Sequence, residues 1–149
     1  MQLNKLGFTN LTAMDGNANM LEEAKKKKVY SDFIQAWMGN VKLPIPDDTF
    51  DALCSSGAFY EGHLKPDCLL EWIRVVKPGG YILFGVPELN LLIVEALRNK
   101  LEPEMKFFED KGLWKMVLRK IVPKYIEGMD TGVIFCFQLQ EGKKILNGH

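Results

Sequence analysis

Cysteine is scarce in this chain. Cys54, Cys68 and Cys136 are the only three in 149 residues, and no two of them form a CxxC pair. That excludes a zinc framework of paired thiols and a secreted disulfide scaffold. It leaves free thiols, which suit a reducing cytosol, so a cytoplasmic location is expected. Net charge is lacking too, with nineteen Lys and Arg against nineteen Asp and Glu. A chain with no excess of either sign has no bulk attraction for nucleic acid or for an anionic membrane surface. No apolar run approaches the ~18 residues that span a bilayer. The opening residues Met1-Gln2-Leu3-Asn4-Lys5 lack the long apolar stretch of a secretory signal.

What the chain does contain is the composition of an ordinary globular protein, 47% apolar and 26% charged. At roughly 100–200 residues per domain, residues 1–149 are expected to form one domain. Its organising feature is alternation of strand-like and helix-like segments. Leu11-Thr12-Ala13-Met14 reads as a buried strand that stops at Asp15-Gly16. Asn17 is a helix N-cap candidate. Ala18, Met20, Leu21 and Ala24 then fall on one helical face, and residues 25–28, all lysine, close that helix at the negative end of its dipole. A second strand is expected over residues 33–38. The loop Leu43-Pro44-Ile45-Pro46-Asp47-Asp48 is held extended by its two prolines. Residues 50–55 make a third strand, apolar on both faces, which suits a sheet covered by helices on both sides.

Pro66 suits the first turn of the next helix, whose stripe is Leu69, Leu70, Ile73 and Val76. Lys77-Pro78-Gly79-Gly80 ends it in a turn, with glycine accepting a positive φ. A fourth strand follows over residues 81–86, and a helix over about 88–100 has Leu89, Leu92, Ile93, Ala96 and Leu97 on its apolar side. Pro103 breaks or restarts it. Strands over about 115–122 and 132–139, joined by a turn-rich stretch around 128–132, are expected to pair antiparallel. The fold class is therefore α/β, a Rossmann-like, mostly parallel sheet with helices on both faces and a C-terminal antiparallel pair. Ligands in such sheets bind at the carboxyl ends of the strands. Asp15, Gly39, Ser55, Ser56, Gly57 and Val86-Pro87 sit at such ends.

Three stretches carry a family resemblance. They are Met14-Asp15-Gly16-Asn17 with Met20-Leu21-Glu22-Glu23-Ala24, then Leu43-Pro44-Ile45-Pro46-Asp47-Asp48-Thr49-Phe50-Asp51, then Arg74-Val75-Val76-Lys77-Pro78-Gly79-Gly80. In this order and spacing they resemble the class I S-adenosylmethionine-dependent methyltransferases of the type-11-like group, over about residues 3–87. Gly57-Ala58-Phe59-Tyr60-Glu61-Gly62-His63 and Gly112-Leu113-Trp114 extend the likeness, more loosely, towards the Williams–Beuren-region methyltransferase-like group. The part over 88–140 is the C-terminal helix and strand pair.

The resemblance implies S-adenosylmethionine as cofactor and methyl transfer to an unidentified acceptor. It implies that Asp15 accepts hydrogen bonds from the ribose hydroxyls, which a carboxylate does well, with Gly16, Asn17 and Met20 beside ribose and adenine. The chemical alternative for Asp15 is an Asx-turn or a helix N-terminal charge. Gly39-Asn40-Val41 stands where the family has an acidic residue near the adenine amino group, and Asn40 can accept there through its side-chain carbonyl. Ser55, Ser56 and Gly57 match the segment bordering the methionine part. Their plain reading is a small-residue strand end. His63, before a helix, reads as a loop or cap residue rather than a base, since transfer from a sulfonium needs mainly alignment and desolvation.

The family pattern also includes a strand ending in D/E-x-G-x-G-x-G, whose glycines let backbone approach the cofactor. No such motif occurs in the chain. The domain is accordingly expected to be N-terminally incomplete, lacking the first family strand, with a partner chain as one way to complete the sheet. Losing several charge-assisted contacts at roughly 1.5–3 kcal/mol each removes most of the ~8 kcal/mol of a micromolar complex. The chain alone is thus expected to bind S-adenosylmethionine weakly or not at all. Two other readings stand beside methyl transfer. One is a non-catalytic relative acting as a binding or regulatory protein. The other is a nucleotide-dependent oxidoreductase, since an acid ending a second strand also occurs in dinucleotide folds, though the Lys-Pro-Gly-Gly turn and the Leu-Pro-Ile-Pro-Asp-Asp loop argue against it.

Overall fold

The computed structural model describes residues 2–126 and 129–143. In chain order the elements are α1 (Gln2–Lys5), β1 (Thr12–Asp15), α2 (Ala18–Lys26), β2 (Asp32–Gln35), β3 (Phe50–Ser56), a 3-10 turn (Pro66–Cys68) running into α3 (Leu69–Val75), β4 (Val76–Pro87), α4 (Glu88–Ile93), α5 (Leu101–Asp110), β5 (Trp114–Ile126) and β6 (Met129–Leu139). They fall into two compact units, Met1–Met38 and Gly39–His149.

The first unit is small. β1 and β2 pair in parallel, with Thr12 opposite Asp32 and Asp15 opposite Gln35. α2 connects them and starts where the sequence suggests. Asn17 has extended backbone angles, and its side-chain oxygen accepts from the Asn19 N–H at 2.9 Å. That satisfies one of the orphan amides of the first turn. Of the expected apolar face only Leu21 is buried, whereas Met20 is 55% exposed. The lysine run is accounted for locally. Lys25 and Lys26 lie in the last turn and pair with Glu22 and Glu23 one turn back, at 2.6 and 2.5 Å.

The second unit is built on a four-stranded sheet in the order β3-β4-β6-β5. β3 runs parallel to β4, and β6 is antiparallel to both β4 and β5. Across both sheets, two strand pairs are parallel and two antiparallel, the antiparallel ones being those that involve the tail. Alternate residues of β4 and β6 point to opposite faces. Ile82, Phe84, Val86, Val133, Phe135, Phe137 and Leu139 all face inward and are buried. Phe84 is the hub of this face, with ring centroids 5.4 Å from Phe59, Trp72 and Phe135. Trp114 stacks on Phe137 at 4.0 Å, and its indole N–H donates to the Met105 carbonyl at 3.0 Å, which ties α5 to the sheet. Burying each such ring stabilises by roughly 1.5–3 kcal/mol.

Several expectations are corrected here. Within the second unit, α3 and α5 both pack on one face of this sheet, that of Phe84. The opposite face leaves Tyr81, Leu83 and Leu118 exposed. β3 is likewise not apolar and buried on both sides, since Ala52, Cys54 and Ser56 are exposed. The helix expected over 88–100 stops at Ile93, where Val94 turns extended. The chain bends through residues 95–100 before α5 begins at Leu101, with Pro103 in its first turn. Leu89, Leu92 and Ile93 are exposed, and only Leu97 of that stripe is fully buried. Val76 closes the stripe of α3 as its extended cap and also begins β4. The Lys-Pro-Gly-Gly turn is a bulge at the start of that strand, where the pairing jumps from Phe50–Val76 to Ala52–Tyr81. Gly79 takes the positive φ expected of it, +77°. The tail strands are longer than expected, and the middle of their connection, residues 127–128, lies outside the described residues.

Candidate functional site

In the first unit the candidate residues gather at the carboxyl end of β1. Asp15 is the last residue of that strand. Its carboxylate accepts from the Asn17 N–H at 2.8 Å, an Asx-turn that leads the chain into α2. One carboxylate oxygen has lone pairs left after this bond, and the other is not engaged by it. Gly16 is required by packing. A Cβ there would stand 2.2 Å from Cδ2 of Trp37, so the indole lies against the Gly16 backbone. Gln35 holds the other side of the turn, donating from Nε2 to the Gly16 carbonyl at 3.3 Å. Trp37 is 76% exposed in spite of this contact. An exposed aromatic face, a free carboxylate oxygen and an uncovered methionine side chain at position 20 suit an apolar ring carrying hydroxyl groups. Trp37 was not among the residues that sequence reasoning picked out. The expected strand over residues 33–38 hid it, since β2 ends at Gln35 and leaves Trp37 two residues beyond.

In the second unit, Gly39 and Asn40 lie in a bend with open space where a Gly39 Cβ would be. Ser55, Ser56 and Gly57 lie where expected, at the carboxyl end of β3, with Gly57 at φ +69°. A residue from far along the chain meets them. Tyr125 folds back from β5 so that its hydroxyl is 3.0 Å from Ser56 Oγ and accepts from the Gly57 N–H at 3.4 Å. Nearby, Tyr60 lies edge-on to His63 with ring centroids 6.3 Å apart. Burial, with a smaller contribution from Tyr125, pushes the Tyr60 phenol above its ordinary range. His63 is exposed and its amide closes a turn onto the Tyr60 carbonyl, as a loop residue would.

The two other stretches that carry the resemblance interlock through Arg74. Arg74 as a residue is 6% exposed. It donates from Nε and Nη2 to the two Glu71 oxygens at 2.8 and 2.7 Å, and from Nη1 to Asp47 and to the Ile45 carbonyl, both at 2.7 Å. A longer bond of 3.3 Å reaches the Leu43 carbonyl, and Glu71 in turn accepts from the Leu43 N–H at 2.8 Å. All five donors of the fork are engaged, which is what allows a buried charge. Burial works against ionised Glu71, but the hydrogen bonds from Arg74 and Leu43 outweigh it and hold the carboxyl below its usual range. The Asp47 carboxyl is lowered as well, chiefly by its bond to Arg74. Lys143 secures the same corner. Its ammonium donates to the carbonyls of Ile73, at 2.5 Å, and of Val76, and pairs with Asp48 at 2.8 Å. The proline loop and the end of α3 are thus one clamp that sets where β3 begins.

None of the expected residues lines the groove of about 680 Å³ walled by residues 65–67, by Ala96 and Lys100 of the segment before α5, and by Phe107 of α5. The three thiols are free. Burial raises Cys54, Cys68 and Cys136 above the ordinary thiol range, the opposite of an activated nucleophile. Among the described residues no helix is long and apolar enough to cross a membrane.

Comparison with known proteins bears on this geometry. The family profile for the methyltransferase domain matches residues 1–84. Methyltransferase-like protein 27 of Homo sapiens is 32% identical over 116 residues, which are 76% of this chain and 45% of that protein. The chain therefore spans less than half the length of that relative. Among solved structures, an S-adenosylmethionine-dependent methyltransferase of Methanosarcina mazei superposes with a TM-score of 0.65 at 13% identity, covering 94% of this chain and 87% of that one. N-methyltransferase NodS of Bradyrhizobium japonicum, in complex with S-adenosyl-L-homocysteine, gives 0.62 at 12% identity over 87% of this chain and 66% of that one. At such identities the likeness is one of fold. With more than half its residues matched by the family profile, the chain belongs to the class I S-adenosylmethionine-dependent methyltransferase family.

Proposed function

We propose that this chain serves in the transfer of a methyl group from S-adenosylmethionine to an acceptor not yet identified, with residues 1–149 forming one methyltransferase-like domain. The observation that carries the reading is Asp15, a carboxylate ending β1 with an oxygen to spare beyond its Asx-turn bond. A ribose diol donates two hydrogen bonds, and an ionised carboxylate is the side chain best suited to take both. Gly16, Asn17 and Met20 are the neighbours proposed for ribose and adenine, with Gly39 and Asn40 as further adenine contacts. Ser55, Ser56 and Gly57 are proposed for the methionine part. This support comes from family membership and, for Asp15 and for Ser55, Ser56 and Gly57, from their position at a strand end.

When bound, the cofactor supplies an electrophilic methyl carried on a sulfonium. The chain's own residues have to hold it in line with the acceptor and exclude water, a task that needs no strong base. Free thiols support a reducing, cytoplasmic setting for this work. Among the described residues β3 pairs with β4 alone, and this open edge supports completion of the sheet by a partner chain.

Equilibrium dialysis with labelled S-adenosylmethionine tests the reading. Binding weaker than about 10 μM is expected, because no glycine-rich loop is present. Asp15→Asn is expected to weaken it at least tenfold, since hydrogen bonds to a charged group count for about 1.5–3 kcal/mol. Binding that Asp15→Asn leaves unchanged overturns the assignment.

A further inference from the structure

Tyr125 has a conformation that strand pairing alone does not require. The β5–β6 register is irregular between Pro123 and Ile126, and Lys124 in this bulge has φ +51°, in the left-handed region that non-glycine residues rarely occupy. The bulge turns Tyr125 away from the β5 edge and across the sheet. Its ring lies along two glycines. A Cβ at Gly132 would stand 2.2 Å from the ring's first carbon, and a Cβ at Gly85 would stand 2.1 Å from the hydroxyl. Gly132 belongs to β6 and Gly85 to β4, so the ring crosses both strands before its hydroxyl reaches Ser56 and Gly57 at the end of β3.

The place reached has its own chemistry. The Gly57 N–H donates to the Tyr125 oxygen, and the Ser56 hydroxyl, able to donate or accept, lies against the same oxygen, so the two groups can converge as donors on a carboxylate. The Tyr125 oxygen fills the place imperfectly. Its 3.4 Å separation from the Gly57 nitrogen is beyond the usual 2.7–3.2 Å range of such bonds. A charged oxygen binds such a pair of donors better than a phenol does.

We propose that the Tyr125 hydroxyl is an internal occupant of a carboxylate seat formed by Ser56 Oγ and the Gly57 N–H, and that a ligand carboxylate takes the seat by displacing it. The ligand's identity rests on the cofactor reading above, in which the carboxylate is that of the methionine end. The occupied seat itself does not rest on it. The Pro123–Ile126 bulge is the hinge, and Gly85 and Gly132 form the track on which the ring lies in the filled state. Displacement makes Tyr125 a positioning residue that sets how tightly the amino-acid end is held, without touching the reacting sulfonium.

The test uses the full chain, labelled with 15N, as wild type, Tyr125→Phe and Gly85→Ala. Tyr125→Phe keeps the ring and removes the oxygen, while Gly85→Ala obstructs the hydroxyl's end of the track. Without ligand, the Gly57 amide is expected to exchange with water at least threefold faster in both variants, with Leu83 in β4 unchanged as the folding control. S-adenosylhomocysteine, which carries the carboxylate, is expected to bind both variants roughly three- to tenfold more tightly than wild type, the size of one neutral hydrogen bond removed from competition. Adenosine, which lacks the carboxylate, is expected to bind all three chains equally. Unchanged Gly57 exchange overturns the occupied seat. S-adenosylhomocysteine affinity that is unchanged or weaker in Tyr125→Phe overturns displacement, making the hydroxyl a brace or a ligand contact. A gain shared by adenosine overturns the carboxylate assignment. If no chain binds either ligand, the cofactor reading falls, and with it the displacement by that ligand, while the exchange rates decide the occupied seat separately.

Discussion

The two units each contain a parallel strand pair, but they are held by different physics. In the second, Phe84 sits among Phe59, Trp72, Phe135 and Phe137, and two tryptophans are wholly buried. In the first, Leu21 is the one buried apolar side chain among the described residues, and local devices carry the structure. These are the Asn17 cap, the Asp15 turn, the Trp37 ring on Gly16, and glutamate–lysine pairs on the surface. Exposed pairs and caps contribute about 1 kcal/mol or less each, well below one buried ring. The proposed ribose carboxylate therefore stands on the weakly held unit, a common arrangement for ligand-binding segments, which come from the low-stability end of a structure.

Substitutions can break this contrast. Phe84→Ala is expected to have the largest effect, destabilising the second unit by about 3–5 kcal/mol, read as a fall in the denaturation midpoint followed by tryptophan fluorescence. Arg74→Met comes next. It strands Glu71 and two carbonyls and is expected to cost about 3 kcal/mol. The further substitution Glu71→Gln recovers part of that loss in a double-mutant cycle, because it removes the unpaired charge. Leu21→Ala is expected to cost about 2 kcal/mol, and the loss shows in amide exchange of α2 while the β4 and β6 amides keep their protection. Equal loss of protection in both units contradicts the contrast. Asn17→Ala is expected to have the smallest effect, about 1 kcal/mol and confined to the first turn of α2.

The Arg74 clamp also gives the second unit a pH signature. Glu71 and Asp47 are held below their usual range when folded. A depressed folded pKa contributes stability that is fully present above the unfolded value, near 4.5 for Glu71, and is lost as pH falls through the folded one. Thermal midpoints of the second unit are therefore expected to be flat from pH 7 to 5 and to drop below about pH 4. In Glu71→Gln the drop is shallower.

How much of this was legible depended on whether the signal was local. Asp15 at a strand end, the Asn17 cap, Pro66 opening its turn, the positive φ at Gly79 and the antiparallel tail pair were all readable, because each depends on a few adjacent residues. The break after Ile93 was not. Leu89, Leu92, Ile93 and Leu97 keep helical spacing, and nothing in that periodicity signals that Val94 turns extended. The apolar reading of β3 fits one face only, since Ala52, Cys54 and Ser56 on the other are exposed. Arg74 was noticed as part of a motif, yet its role as a clamp depends on carbonyls 29 and 31 residues away. Tyr125 was missed because its partners are 68 and 69 residues distant and two of its contacts are with glycines, which have no side chain to signal a neighbour.

The central claim is that the weakly held carboxylate at the end of β1 receives a ribose. The most direct measurement is a titration of the 15N-labelled chain with S-adenosylhomocysteine, following the amides of residues 15–20. The account predicts progressive, saturable shifts at Asp15, Gly16 and Asn17 with an apparent dissociation constant weaker than about 10 μM, abolished by Asp15→Asn while the rest of the spectrum stays folded. Shifts that persist in Asp15→Asn, or saturable shifts elsewhere in the chain with residues 15–17 unmoved, would contradict it.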